Sequence, residues 1–198
     1  LTEPYDFIPV FNKILNKHVT EDDFINNYDI NKIYGITDDD WENITNDEGK
    51  TIKDLFLDTC RMRKDAPLVI QTLQRDHNCM CITARNRSEC QEITRKFLTD
   101  NNLSWLKVRY LNSHDKLEAA KQYNIDIMIE DNPEVINKLA KNGITVIAIG
   151  CNWNKNTKGE NIYRVETWRE AGITLMMLLT VNKFGGIRKD LKDKYTDR

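Results

Sequence analysis

No stretch of this 198-residue chain stays apolar for the roughly 18 residues that a membrane-spanning helix needs. The strongest apolar run, Gly172 to Val181 (GITLMMLLTV), fits a buried helix instead. The first residues do not read as a signal peptide, and five cysteines without a C-x-x-C pair favour a reducing, cytoplasmic setting. Charge of one sign is also lacking: the net charge is -2. That excludes binding to a nucleic-acid polymer through bulk charge. The basic run Ile187 to Arg198 mixes both signs and reads as a solvated helix or tail. The five cysteines form no C-x-x-C pair, and none of the three histidines has ligand-like spacing to them. A disulfide framework and a zinc site are therefore not expected. There is no internal repeat and no low-complexity linker. At 40% hydrophobic and 30% charged residues the composition is that of a folded domain, either one domain or one domain with an insert.

What is present changes character near Asp65. Before it, the chain is acidic, aromatic and helical in period. Phe7, Val10, Phe11, Ile14 and Leu15 recur at three and four residues, which marks an amphipathic helix. Thr20 followed by Glu21, Asp22 and Asp23 reads as a capped helix start. Ile52, Leu55, Phe56 and Cys60 suggest a further helix. After Asp65, strands alternate with helices. The strands are expected at 79–83, 106–111, 125–130, 144–150 and 161–166, with helices between them and a last helix from Trp168 to Asn182. This alternation predicts an α/β fold: βαβ units, a parallel sheet and right-handed crossovers. Ligands in such sheets sit beyond the carboxyl ends of the strands.

Three of those ends carry chemistry. In CMCITARNRS, Thr83 closes a strand and Arg85, Asn86 and Arg87 follow, with Ser88 to Gln91 fitting a capping box. A hydroxyl, backbone N–H groups and a helix start make an anion site; equally, Thr83 merely ends the strand and the arginines are solvated. Lys116 lies just inside a helix start, where a cation opposes the helix dipole unless it faces an anion. The alternative there is a surface lysine paired with Asp115 or Glu118. In IDIMIEDNPEV, a buried strand ends on Glu130 and Asp131, followed by Asn132 and Pro133. Adjacent carboxylates with no nearby run of arginines suit a hard cation such as Mg²⁺; otherwise they cap the next helix.

A threonine, a lysine and an acidic pair on successive strand ends resemble the haloacid dehalogenase (HAD) superfamily of phosphatases. Within it, ITAR, the spacing to HDK and the phrase MIEDNP look like the 5'(3')-deoxyribonucleotidase-type branch and its bacterial nucleotidases. LTEPYDFIPVFNK resembles the segment that follows the first motif there. The resemblance implies a Rossmann-like HAD core over 66–198 and a helical cap over 5–65. It implies Thr83, Ala84, Arg85 and Lys116 around the phosphoryl group, with Thr83 and Lys116 catalytic. It also implies Mg²⁺ on Asp131 with Glu130, and Tyr5 and Phe7 as cap residues toward the substrate. The expected reaction is Mg²⁺-dependent hydrolysis of nucleoside monophosphates through an aspartyl-phosphate. No membrane partner is expected, and a homodimer is compatible with the reading.

In one respect the chain departs from that pattern. The first motif, Asp-x-Asp-Gly-Thr/Val, is not in these 198 residues. The resemblance places it, with the first core strand, just before Leu1. Asp6 falls several residues too late to replace it. Two other readings stand beside the nucleotidase: a HAD phosphatase for another small phosphate ester, and a non-catalytic HAD-like binding protein. A response-regulator receiver is excluded by order, since its acidic pair precedes its threonine.

Overall fold

In the computed structural model, which describes residues 1–184, the chain divides into two compact units. One contains Leu1–Arg63 together with Cys151–Lys155; the other contains Lys64–Gly150 and the residues from Asn156 onward. The run Ile187 to Arg198 lies outside the described residues.

The first unit is helical: α1 (Ile8–Leu15), α2 (Ile30–Tyr34), α3 (Asp40–Asn43) and α4 (Ile52–Asp58), with a 3₁₀ turn at Glu21–Phe24. Side-chain caps start α2, where Asp29 accepts from the Lys32 N–H, and two others of these elements. Thr20 with Asp23 and Thr51 with Asp54 form reciprocal capping boxes. The core is aromatic: Phe7, Phe11, Phe24, Tyr34 and Trp153 are buried together with Ile8, Ile52 and Cys151. Phe11 stacks edge-to-face on Tyr34 at 5.4 Å and on Trp41 at 5.5 Å between ring centres. Trp153 reaches this core from the far segment Cys151–Lys155, which periodicity along the chain does not reveal.

The second unit alternates as the sequence predicts: α5 (Ala66–Leu73), β1 (Met80–Thr83), α6 (Arg87–Asp100), β2 (Lys107–Tyr110), α7 (Leu117–Gln122), β3 (Ile127–Glu130), α8 (Pro133–Lys141), β4 (Thr145–Ile149), β5 (Ile162–Val165) and α9 (Trp168–Phe184). The architecture is α/β and Rossmann-like, with every strand pair parallel. The strands form two sheets, β1–β2 and β3–β4–β5. Two local expectations change. α6 is capped by Asn86, whose side chain accepts from the Ser88 N–H, so Ser88 lies within the first turn. Lys116 occupies the cap position of α7, with φ -93° and ψ -5°, rather than its first turn.

β4 shows why this half of the chain folds as it does. It lies between β3 and β5 and is buried along four of its five residues. Val146 and Ala148 join the core built by Val135, Ile136 and Leu139 of α8 and Leu117 and Ala120 of α7. Ile147 and Ile149 alternate to the opposite side, and α9 packs on β4 and β5. A strand covered on both faces has no use for polar alternation, which is why Val146 to Ile149 is continuously apolar. Each such fully buried aliphatic side chain is worth about 1.5–3 kcal/mol of transfer free energy. Ile82 of β1 also packs against this core. Leu139 is fully buried in it. Leu139→Ala should therefore lower unfolding free energy by about 2–5 kcal/mol, read from urea midpoints at unchanged slope.

Candidate active site

Each strand end presents its side chain for a local reason. β1 stops at Thr83, whose hydroxyl oxygen accepts the Arg85 N–H at 3.3 Å while its carbonyl accepts the Leu111 N–H at 3.0 Å. The chain turns there through Ala84 and Arg85 into the Asn86 cap of α6. Arg85 bends back so that its guanidinium donates to Thr94 at 3.5 Å, and Arg87 donates to Gln91 at 2.8 Å.

Lys116 has two acids close in sequence, and it pairs with neither. Asp115 accepts from Lys138 at 2.6 Å and from the Leu117 N–H at 3.2 Å. Glu118 accepts from Lys121. The Lys116 ammonium instead donates to Glu130 Oε2 at 2.6 Å. The pair is secluded, the two side chains being 15% and 4% exposed.

Glu130 accepts more than that one bond. Its Oε1 takes the N–H groups of Asp131 and Asn132, both at 3.1 Å. Burial alone would raise the Glu130 carboxyl. The Lys116 charge and hydrogen bond, with the two backbone N–H groups, outweigh it and hold the group below the ordinary carboxylate range. Asn132 then continues the chain of contacts. Its Oδ1 caps α8 by accepting from Glu134 N–H at 2.9 Å and Val135 N–H at 3.3 Å, and Pro133 takes the first helical position. Asp131 stands half-buried between these two residues.

The neighbouring strand senses the pair. Burial pushes the Cys81 thiol up; Lys116 and Arg85 offset this in part, and Glu130 adds to it. Cys81 precedes Thr83 by two residues and so shares its strand face. Thus the start of α7 and the tip of β3 meet in the Lys116–Glu130 pair, while Thr83 ends β1 in a turn with Arg85. Among the described residues, no group of three or more His, Cys, Asp or Glu side chains is clustered as a metal centre would need.

The two aromatics expected to face substrate belong to the helical unit. Phe7 is buried among Phe11, Phe24, Tyr34 and Phe56. The Tyr5 hydroxyl accepts the Asn152 N–H at 2.7 Å, and its ring packs edge-on to Trp153 at 5.3 Å. Burial pushes its phenol up to about 12. The residue that sequence reasoning undervalued is Asn132. Its cap position before Pro133 was legible, but its own N–H on Glu130 was not.

These features define a class: a parallel α/β protein with a buried ammonium–carboxylate pair at its strand ends. No family model matches the chain. It is similar to the protein named "Putative nucleotidase BH1399" of Halalkalibacterium halodurans, with 30% identity over 175 residues covering 86% of this chain and 85% of that protein. It is also 29% identical to "Putative nucleotidase YqfW" of Bacillus subtilis over 173 residues, with 86% of each chain covered. A third relative, "Nucleotidase CA_C3379" of Clostridium acetobutylicum, is 28% identical over 171 residues, again with 86% of each covered. The chain belongs to the family that these bacterial nucleotidases form.

Asn132 joins the Glu130 carboxylate to the start of α8, so its removal has a defined cost. Asn132→Ala should destabilise the fold by about 1 kcal/mol through the lost cap. Amide exchange at Glu134 and Val135 should rise more than exchange in β4.

Proposed function

We propose that this protein is a phosphomonoesterase of the HAD type that hydrolyses nucleoside or deoxynucleoside monophosphates. The observation that carries the reading is the Lys116 ammonium, held by Glu130 at the tip of β3. A fixed cation with a hydroxyl and a helix start beyond it suits a phosphate dianion. The names of the relatives support a nucleotide as its carrier.

In this reading Thr83 donates its hydroxyl to a phosphoryl oxygen, and the backbone of Ala84 and Arg85 lines the same pocket. Lys116 balances charge that spreads over the equatorial oxygens during transfer. The donor chemistry at the β3 tip fits Mg²⁺ in part: Mg²⁺ takes oxygen ligands, one or two from protein carboxylates and the rest from water and phosphate. Asp131, with Glu130 beside it, is the carboxylate pair this chain offers. Bound there, Mg²⁺ would supply charge neutralisation and align the phosphate.

The nucleophile and the general acid of this chemistry would be two further aspartates, which residues 1–198 do not provide in the expected motif. The carboxylate of one attacks phosphorus and the P–O ester bond breaks. The second aspartate protonates the departing oxygen. Water, deprotonated by the same group, then attacks phosphorus and releases orthophosphate, which restores the carboxylate.

The test is orthophosphate release by the full natural protein from 5'- and 3'-monophosphates, with Mg²⁺ and with a chelator. Hydrolysis should require Mg²⁺. Lys116→Ala and Asp131→Asn should each lower kcat/KM by roughly 10²–10³. Release from sugar phosphates but not nucleotides would retain the chemistry and overturn the substrate. Mg²⁺-independent hydrolysis that survives Lys116→Ala would overturn the site.

A further inference from the structure

We propose that the Asp115–Lys138 ion pair is a positioning device for Lys116: it ties the start of α7 to α8 and so brings the ammonium to Glu130. This deepens the reading above and rests on it for what Lys116 then meets, a phosphoryl group.

The inference starts from two residues adjacent in sequence whose side chains go to different partners. Lys116 donates to Glu130 Oε2 at 2.6 Å, at the tip of β3. Asp115 accepts the Lys138 ammonium on Oδ2 at 2.6 Å, from the last turn of α8. Its other oxygen, Oδ1, accepts the Leu117 N–H at 3.2 Å, and its own N–H donates to the Ser113 hydroxyl oxygen at 3.1 Å. Lys138 first, and then the Leu117 N–H, hold the Asp115 carboxyl below the ordinary carboxylate range, so Asp115 is ionised at neutral pH.

α7 needs such a tie. It has only 6 residues, too few to hold a helix without tertiary support. Lys116 stands at its cap position and makes no side-chain cap, so Asp115 supplies the acceptor from one residue earlier. Leu117 and Ala120 bury the helix against Val135, Ile136 and Leu139 of α8. Apolar contact is non-directional: it keeps α7 on α8 without fixing where the first turn sits. The ion pair supplies that direction. Asn132, which caps α8, donates its N–H to Glu130 at 3.1 Å, so the β3 tip, the turn and α8 form one support. Residues 115 and 116 are thus tied to two points of that support, Lys138 and Glu130. The cation that meets the phosphoryl group is thereby preorganised before substrate arrives. The tie also occupies Asp115, the acid next to Lys116 in the chain. Left without Lys138, that carboxylate would compete for the ammonium and repel an incoming phosphate.

Two readouts on the full natural protein and its variants test this. Competitive amine labelling with acetic anhydride, read by peptide mass spectrometry, follows Lys116 without any assumption about the reaction. Kinetics on a nucleoside monophosphate follow the consequence. The Lys138 and Asp115 side chains are 50% and 46% exposed, and an exposed pair is worth little, so changes of roughly 2–5-fold are expected. Lys138→Gln should raise Lys116 labelling and lower kcat by that factor with KM unchanged. Asp115→Asn keeps an acceptor for the Leu117 N–H and should do the same. The double variant should lose no more than either single one, because one interaction is removed. Lys138→Arg should restore both readouts. Lys96→Gln removes another exposed pair, with Asp100, and should change neither. In the natural protein, high salt should raise Lys116 labelling relative to the other lysines, and in Lys138→Gln it should not. Unchanged Lys116 labelling in both single variants overturns the proposal, as do losses that add in the double variant. Faster labelling with unaltered kcat in an active enzyme also overturns it. If the natural protein hydrolyses no phosphate ester while Lys116 labelling still follows Lys138, the phosphatase reading fails and the positioning contact survives.

Discussion

The buried pairing of Lys116 with Glu130 is the constraint around which the strand ends are arranged. Taking a carboxylate and an ammonium out of water costs several kcal/mol per ion, and only close, well-directed contact offsets it. Here the contact is 2.6 Å, and two backbone N–H groups supply the rest of the compensation on the carboxylate side. Such a pair adds little net stability compared with apolar side chains of the same volume. Breaking it by removing one partner is expensive, about 3–5 kcal/mol, because a lone buried charge remains. It therefore acts as a latch: β3 cannot slide against the start of α7 without exposing or orphaning one of the two ions.

The latch is held by packing that carries no charge at all. Val146 and Ala148 of β4, with Ile136 and Leu139 of α8, form the apolar layer under the β3 tip. Pro133 and the Asn132 cap fix where α8 begins, and that start determines where the Asp131 and Asn132 N–H groups point. Hydrophobic burial provides the free energy, and the polar turn at residues 130–132 converts it into a fixed orientation. The helical unit is stabilised differently, by edge-to-face aromatic contacts supported by short capping boxes.

Membership of a nucleotidase family gives the buried ammonium a chemical context. A lone secluded lysine is compatible with a purely structural ion pair. Its position at the ends of parallel strands, where α/β sheets bind ligands, is what the proposed phosphate site rests on. Thr83 closes β1 in a turn of its own, its hydroxyl oxygen accepting the Arg85 N–H.

The sequence by itself determined the order of elements in the α/β unit, the parallel class of its strands and the Asn132–Pro133 helix start. These are local: they follow from periodicity, from the capping chemistry of single residues and from the short reach between one element and the next. Strand and helix limits moved by a residue or two because periodicity marks faces and not ends. Only the tertiary structure decided which carboxylate meets Lys116. Asp115 and Glu118 were nearer in sequence, yet they pair with Lys138 and Lys121, and Glu130 takes the ammonium. It also decided that Phe7 is core, that Tyr5 anchors Asn152, and that Cys151–Lys155 joins the helical unit. Each depends on crossovers that bring distant segments together, and a linear pattern carries no distance between its parts.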